Sequence, residues 1–201
     1  MIFGERQVEI PWLLKNLKPG SVLDIGSRNS QYIKDLITQG RKIVRVDRLP
    51  LEKSYFTINL QADIRKIKPD DIGTFDNVIL LSTLEHIGLE AYGFKADWEQ
   101  TPFLEQLNTF KHCLNFCNND GILLLTVPFG KFVSIGWQLI YNKQMINELK
   151  SQALVVKENY FTLKGDNYVE CKQEDCPLLD YNWVNGKGRA FSVACLVFRK
   201  E

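Results

Sequence analysis

His86 is the histidine of this 201-residue chain that stands where chemistry can happen, in the run Ser82-Thr83-Leu84-Glu85-His86-Ile87 directly behind an apolar stretch over 75–81. An unperturbed imidazole titrates near neutrality, so it can take the proton from an acceptor hydroxyl; an imidazole that only packs or orients is the alternative. Glu85 and His86, with Ser82 just upstream, make a poor site for a hard cation, and no metal is expected there. A second group follows the apolar stretch 22–25, where Asp24-Ile25-Gly26-Ser27 precedes a predicted helix over 31–38 with Ser30 as its N-cap. Gly26 lets the backbone turn and a ligand approach closely, and free N–H groups at the helix start suit a polar or anionic ligand group. Asp47 ends a third apolar stretch roughly twenty residues beyond Gly26, where a carboxylate can accept hydrogen bonds from both ribose hydroxyls of an adenosine. A solvated strand-end aspartate is the plainer reading. A loop built for a dinucleotide would need Gly-x-Gly-x-x-Gly, and Arg28 fills the second glycine position, which speaks against a nicotinamide cofactor.

The elements that must position these residues alternate as strands and helices. The patterning predicts strands over 22–25, 42–47, 55–60, 75–81 and 122–127, with helices over 8–17, 31–38 and 101–117. That order gives an α/β domain spanning 1–201, and in an open α/β sheet a ligand sits beyond the carboxyl ends of the strands, where Gly26, Asp47 and Ser82 to His86 would meet. The 101–117 helix has Thr101 as N-cap and Pro102 after it, and its apolar stripe runs through Phe103, Leu107, Phe110, Leu114 and Cys117. His112 falls off that stripe and is expected in solvent. Asn118-Asn119-Asp120-Gly121 is expected to turn the chain into the strand that Pro128 terminates. Segments 154–163 and 190–199 alternate as an antiparallel pair. Between them, 164–189 reads as an insertion near the site, with Cys171, Cys176, Tyr181 and Trp183; such insertions most often carry selectivity, and a plain packed loop is the alternative. Tyr92, Phe94 and Trp98 in the 88–100 loop either wall an acceptor pocket or anchor the loop, and Trp137 and Tyr141 pose the same choice.

Asp24-x-Gly26 behind the first strand resembles motif I of the class I S-adenosylmethionine-dependent methyltransferases, Asp-x-Gly-x-Gly, with Arg28 at its second glycine. Asp47 matches the acidic residue of motif II, and Phe75-Asp76 with Leu84-Glu85-His86-Ile87 looks like motif IV of the small-molecule branch. The Asn/Asp-Pro-Pro-Tyr motif of the methyltransferases acting on nucleic-acid amines is absent. The resemblance covers 17–198 and implies a Rossmann-like α/β fold: a seven-stranded, mainly parallel sheet flanked by helices, with a C-terminal antiparallel hairpin. It implies S-adenosyl-L-methionine as cofactor and methyl transfer to an oxygen or nitrogen of a small molecule or saccharide. By the same resemblance Asp24 and Arg48 belong to the cofactor-binding set, Gly26 and Ser27 pass near the methionyl part, and Asp47 lies at the ribose. Asp63 would meet the adenine amino group, Ile64 would cover the ring, Ser82 would lie near the methyl, and His86 would assist deprotonation. Asp63 also reads as the N-cap of a turn over 64–67. The rivals are a non-catalytic S-adenosylmethionine-binding protein or pseudoenzyme partner and, less favoured, an NAD-dependent oxidoreductase.

A net charge of +1, from 25 basic and 24 acidic residues, gives no electrostatic case for a nucleic-acid partner. No leader-like or membrane-length apolar run appears, so a soluble, cytoplasmic protein with no membrane partner is expected. The five cysteines include no Cys-x-x-Cys pair, which fits reduced thiols. His112, Cys113, Cys117, Cys171 and Cys176 lack the spacing of zinc ribbons or fingers. Cys113, Cys117 and Cys195 read as small core residues.

Overall fold

The computed structural model describes residues 4–28, 30–97, 101–179, 181–184 and 187–200. In chain order the elements are α1 (Arg6–Asn16), β1 (Val22–Ile25), α2 (Ile33–Thr38), β2 (Ile43–Asp47), β3 (Ile58–Gln61), α3 (Pro69–Ile72), β4 (Phe75–Leu81), α4 (Pro102–Leu114) and β5 (Cys117–Phe129). They continue with β6 (Val133–Ser134), β7 (Leu139–Ile140), α5 (Lys143–Lys150), β8 (Leu154–Lys164), β9 (Asn167–Cys171), β10 (Tyr181–Val184), β11 (Lys187–Ala190) and β12 (Ser192–Arg199). The main sheet runs β3-β2-β1-β4-β5-β12-β8-β9. Strands β3 to β5 are parallel, while β12 is antiparallel to β5 and β8, and β9 is antiparallel to β8.

Alternate residues of the central strands feed two cores, as a pleated strand requires. Leu23, Val44, Val78, Leu80, Leu123 and Leu125 pack with Leu107 and Phe110 of α4 and Ile146 and Leu149 of α5. Val22, Ile43, Ile79, Ile122 and Leu124 pack with Ile10 and Leu13 of α1 and Ile33 and Leu36 of α2. Covering both faces is what makes these parallel strands largely apolar on both sides. From β1 the chain order proceeds outward through β2 and β3 on one side and through β4 and β5 on the other. That reversal opens a crevice between the carboxyl ends of β1 and β4.

Several sequence expectations are corrected. The sheet has eight strands rather than seven, because the 164–189 segment supplies β9 as an outer strand; the β10–β11 hairpin forms a separate two-stranded sheet. Ser30 is not an N-cap: α2 begins at Ile33 behind Tyr32, and Ser30 Oγ instead lies 3.3 Å from the Tyr32 hydroxyl. The third strand is shorter than 55–60, and Tyr55 and Phe56 are exposed ahead of it. Helix α4 stops at Leu114, so Cys117 opens β5 opposite Phe75. The 118–121 stretch is a bulge inside β5 rather than a turn before it, since pairing resumes at Asn77 with Ile122. A Cβ at Gly121 would sit 2.6 Å from the Phe75 carbonyl oxygen, so the bulge needs glycine.

Pro128 does not end β5 either. Its backbone faces the β4 side, where pairing has already ended at Leu81 with Thr126, and its carbonyl takes the Tyr141 N–H instead. The missing proline N–H therefore falls where no strand asks for it. His112 is braced rather than solvated: its Nε2 lies 2.8 Å from the Ile67 carbonyl and 3.1 Å from that of Ile64.

Candidate active site

The crevice is an open cleft at the carboxyl ends of β1, β2 and β4. On the β1 side Gly26 takes φ +75, a conformation that favours glycine, and its N–H donates to the Val46 carbonyl at 2.9 Å. The carboxylate of Asp47 then ties two loops together, accepting from the Arg28 N–H at 2.9 Å and the Leu49 N–H at 2.8 Å. Each carboxylate oxygen has a second lone pair, so Asp47 retains acceptor capacity toward the cleft that it lines. Beneath the loop, Arg45 on β2 is buried and donates to the Ser27 carbonyl at 2.6 Å. Asp24 is buried as well and accepts from the Tyr32 hydroxyl at 2.6 Å, while its Oδ2 has no partner among the described residues. Burial pushes the Asp24 carboxyl up to about 6, against the Tyr32 hydrogen bond.

At the end of β4, Ser82 adopts φ +47, which is uncommon outside glycine, and its N–H donates to Thr126 Oγ1 at 2.9 Å. The hydroxyl of Thr126 in turn donates to Glu9 Oε1 at 2.6 Å, and Glu9 Oε2 accepts from Arg6 Nη1 at 2.9 Å. A continuous polar chain thus runs from α1 to the strand end and leaves the Arg6 guanidinium on the cleft wall. Ser82 Oγ donates to Glu85 Oε1 at 2.7 Å. Glu85 is fully buried, and that burial pushes its carboxyl up to about 8.

His86 lies with Nδ1 2.8 Å from the Trp137 carbonyl oxygen. A carbonyl only accepts, so Nδ1 carries the hydrogen and the neutral ring keeps its lone pair on Nε2. The imidazole stacks on Trp137 with centroids 5.2 Å apart and meets Tyr92 edge-on at 5.6 Å. Burial pushes its pKa down to about 4, so the ring is unprotonated at neutral pH.

The remaining wall comes from the turn after β3 and the 88–97 loop. Asp63 caps that turn by accepting the Arg65 N–H at 3.1 Å, and both of its oxygens also receive the Arg65 guanidinium. Burial would raise the Asp63 carboxyl, but the Arg65 hydrogen bonds outweigh it and hold the group low. Arg65 reaches on to Asp97 at 2.6 Å and Glu105 at 3.0 Å, which pins the loop to the turn and to α4. Arg48 stacks 3.8 Å above the Phe94 ring centroid at the same seam. The loop tip, Ala91 to Phe94, is a tight turn with positive φ at both Tyr92 and Gly93, which leaves Tyr92 exposed beside His86.

Gly26, Asp47, Arg48, Asp63, Ile64, Ser82 and His86 all line the cleft. Asp24 and Ser27 do not; they lie under its floor, with Tyr32 between Asp24 and the cleft. Tyr92 and Phe94 are on the wall, and Trp98 lies outside the described residues, as do the side chains of Tyr181 and Trp183. Tyr141 is fully buried with its hydroxyl 2.5 Å from Gln106 Oε1, so it packs beneath the site. Arg6 and Arg65 are absent from the sequence expectations. The signal available for Arg6 was its place one turn ahead of Glu9, an acidic residue on an otherwise apolar helix face.

No protein-family model matches the chain, and no curated protein matches it by sequence. Solved structures do match. A Burkholderia thailandensis 1,6-didemethyltoxoflavin-N1-methyltransferase, solved with that compound and S-adenosylhomocysteine, aligns at TM-score 0.62 and 13% identity over 97% of this chain and 77% of its own. The N-methyltransferase NodS of Bradyrhizobium japonicum WM9, in complex with S-adenosylhomocysteine, aligns at TM-score 0.61 and 12% identity over 98% of this chain and 87% of its own. An S-adenosylmethionine-dependent methyltransferase of Clostridium acetobutylicum ATCC 824 aligns at TM-score 0.57 and 12% identity over 96% of this chain and 89% of its own. At these identities the likeness is one of fold, and the fold of this chain is that of the S-adenosylmethionine-dependent methyltransferases.

Proposed function

We propose that the protein transfers the methyl group of S-adenosylmethionine to an oxygen or nitrogen of a small acceptor. The observation that carries this reading is one cleft that joins the Gly26 turn and the Asp47 carboxylate, on one side, to an unprotonated His86 on the other. The residues fit the cofactor. Asp47 keeps free lone pairs for the ribose hydroxyls, Ile64 with Leu49 and Ala62 offers an apolar surface for the purine, and Arg6 presents a cation for the methionyl carboxylate. Asp63 beside Ile64 is the acceptor for the adenine amino group through whatever lone-pair capacity Arg65 leaves. Asp24 and Ser27 act from below by fixing the course of the loop.

The sulfonium of the bound cofactor supplies an electrophilic methyl, so little covalent chemistry is asked of the chain. Its residues hold donor and acceptor in line, and the Tyr92 and Phe94 loop with Trp137 behind His86 keeps water from the acceptor. His86 Nε2, unprotonated, takes the proton that an acceptor hydroxyl gives up as the methyl bonds to its oxygen. Two of the solved neighbours are N-methyltransferases, which supports nitrogen among the acceptors.

Calorimetric titration of the cofactor-stripped protein with S-adenosylhomocysteine, with NAD as control, tests the reading first. Micromolar binding of S-adenosylhomocysteine alone is expected, and binding of neither overturns it. Screening hydroxylated and amino small molecules and sugar nucleotides for methyl transfer then separates an enzyme from a non-catalytic binder. With a turned-over acceptor in hand, His86→Gln is expected to lower kcat by about 100-fold with little change in cofactor affinity.

A further inference from the structure

Outside the cleft, Cys171 and Cys176 bring their Sγ atoms to 3.4 Å. Cys171 ends β9, paired opposite Tyr160 of β8, and one short helical turn over Gln173–Asp175 folds the chain back so that Cys176 returns to it. Gln173 Nε2 donates to the Tyr160 hydroxyl at 2.7 Å and fixes that turn. The two thiols are unequal: Cys171 is partly open to solvent and Cys176 is buried. The other three cysteines are buried and have no such sulfur contact among the described residues.

We infer that Cys171 and Cys176 form a reversible dithiol–disulfide site that exchanges with a low-molecular-weight disulfide such as oxidised glutathione. Cys171 is the attacking thiol, because it is the accessible one and the Cys176 S–H can donate to its thiolate; that hydrogen bond works against the burial that raises it. Burial pushes the Cys176 thiol up to about 12, which suits it to hold its proton until the second step. In the first step Cys171 loses its proton to solvent, its Sγ bonds to one sulfur of the oxidised glutathione, and the other glutathione leaves with the electron pair and takes up a proton. In the second, Cys176 loses its proton, its Sγ bonds to Cys171 Sγ, and the remaining glutathione departs as a thiol. Two protein thiols are oxidised and one small disulfide is reduced to two thiols. The contact between the sulfurs makes the second step effectively intramolecular, so the mixed disulfide does not accumulate.

The site has a structural consequence at the sheet edge. Cys176 leads directly into 177–179, where the Leu179 carbonyl accepts the Lys131 N–H at 3.2 Å and lies 2.4 Å from where a Gly130 Cβ would be. Oxidation fixes the start of this strap across the end of β5.

The full-length protein is equilibrated with oxidised glutathione, quenched with N-ethylmaleimide and mapped as non-reduced peptides. The expected result is a Cys171–Cys176 disulfide in at least about tenfold excess over any mixed disulfide, reversed by reduced glutathione, with Cys113, Cys117 and Cys195 still alkylated after unfolding. Cys176→Ser is expected to trap glutathione on Cys171, and Cys171→Ser to leave Cys176 a thiol. Alkylation of both cysteines under oxidising conditions, a stable glutathione adduct in the unmutated protein, or preferential oxidation of any other pair overturns the proposal. The readout needs neither cofactor nor acceptor and stands apart from the methyl-transfer reading.

Discussion

Replacing Glu85 by Gln removes a buried titration without changing the side chain's shape. Glu85 is fully buried, accepts from Ser82 at 2.7 Å through Oε1, and has no partner for Oε2 among the described residues. Its carboxyl, ordinarily near 4.5, is pushed by burial up to about 8. The folded chain therefore keeps a proton that the unfolded chain gives up, so stability present below pH 4.5 is lost as pH rises to about 8, by about 5 kcal/mol in full. Asp24, pushed up to about 6, acts in the same direction at lower pH. His86, pushed down from 6.5 to about 4, acts oppositely, since below 6.5 the unfolded imidazole gains a proton that the folded one refuses. Between pH 6.5 and 8 Glu85 thus dominates the titration of the three. Urea unfolding across that window should show the unmutated protein losing about 2 kcal/mol more than Glu85→Gln. The Gln amide adds an unsatisfied donor that costs about 1–3 kcal/mol, but this offset is independent of pH. Parallel profiles for the two proteins from pH 6.5 to 8 would mean that Glu85 is ionised in the fold, and the account of its burial would be wrong.

Gly26→Ala places a Cβ 2.4 Å from the Thr83 side chain at φ +75, so it should lose about 2–3 kcal/mol of stability even without ligand. Adding Thr83→Ala should restore part of that in the same denaturation assay, whereas no restoration would locate the strain elsewhere. Asp47→Asn keeps the side chain's size but weakens its acceptors, and S-adenosylhomocysteine affinity measured by calorimetry should fall by about 10- to 100-fold. An unchanged affinity would remove Asp47 from the ribose site. Arg65→Met frees Asp97 and the 88–97 loop from the turn after β3, and amide exchange at Phe94 and Asp97 should speed by about tenfold with exchange in β4 unaltered. Unchanged loop exchange would show that the Arg65 contacts do not hold it.

What the sequence discloses about this molecule divides by the range of the interaction concerned. The central strands are legible because a parallel strand covered on both faces is largely apolar, as in Val78 to Leu81. Gly26, Asp47, Ser82 and His86 are legible together because strand ends in an open sheet converge, so spacing alone sends them to one edge. Pro128 misleads for the opposite reason: proline forbids a hydrogen bond, but whether a strand asks for one depends on where its neighbour β4 stops, and that register is set by residues fifty positions earlier. Cys117 and the 118–121 bulge fail in the same manner, since a helical step and a turn composition are local signals overruled by pairing with Phe75. The site's electrostatics are the least legible part. Arg6 is held at the cleft by Glu9 of its own helix, which Thr126 of β5 fixes in turn, and by the Leu81 carbonyl of β4, while Arg65 joins Asp63 of its own turn to the distant Asp97 and Glu105. Polar residues whose partners are distant carry no period and no motif, so their roles emerge only when the fold brings those partners within hydrogen-bond reach.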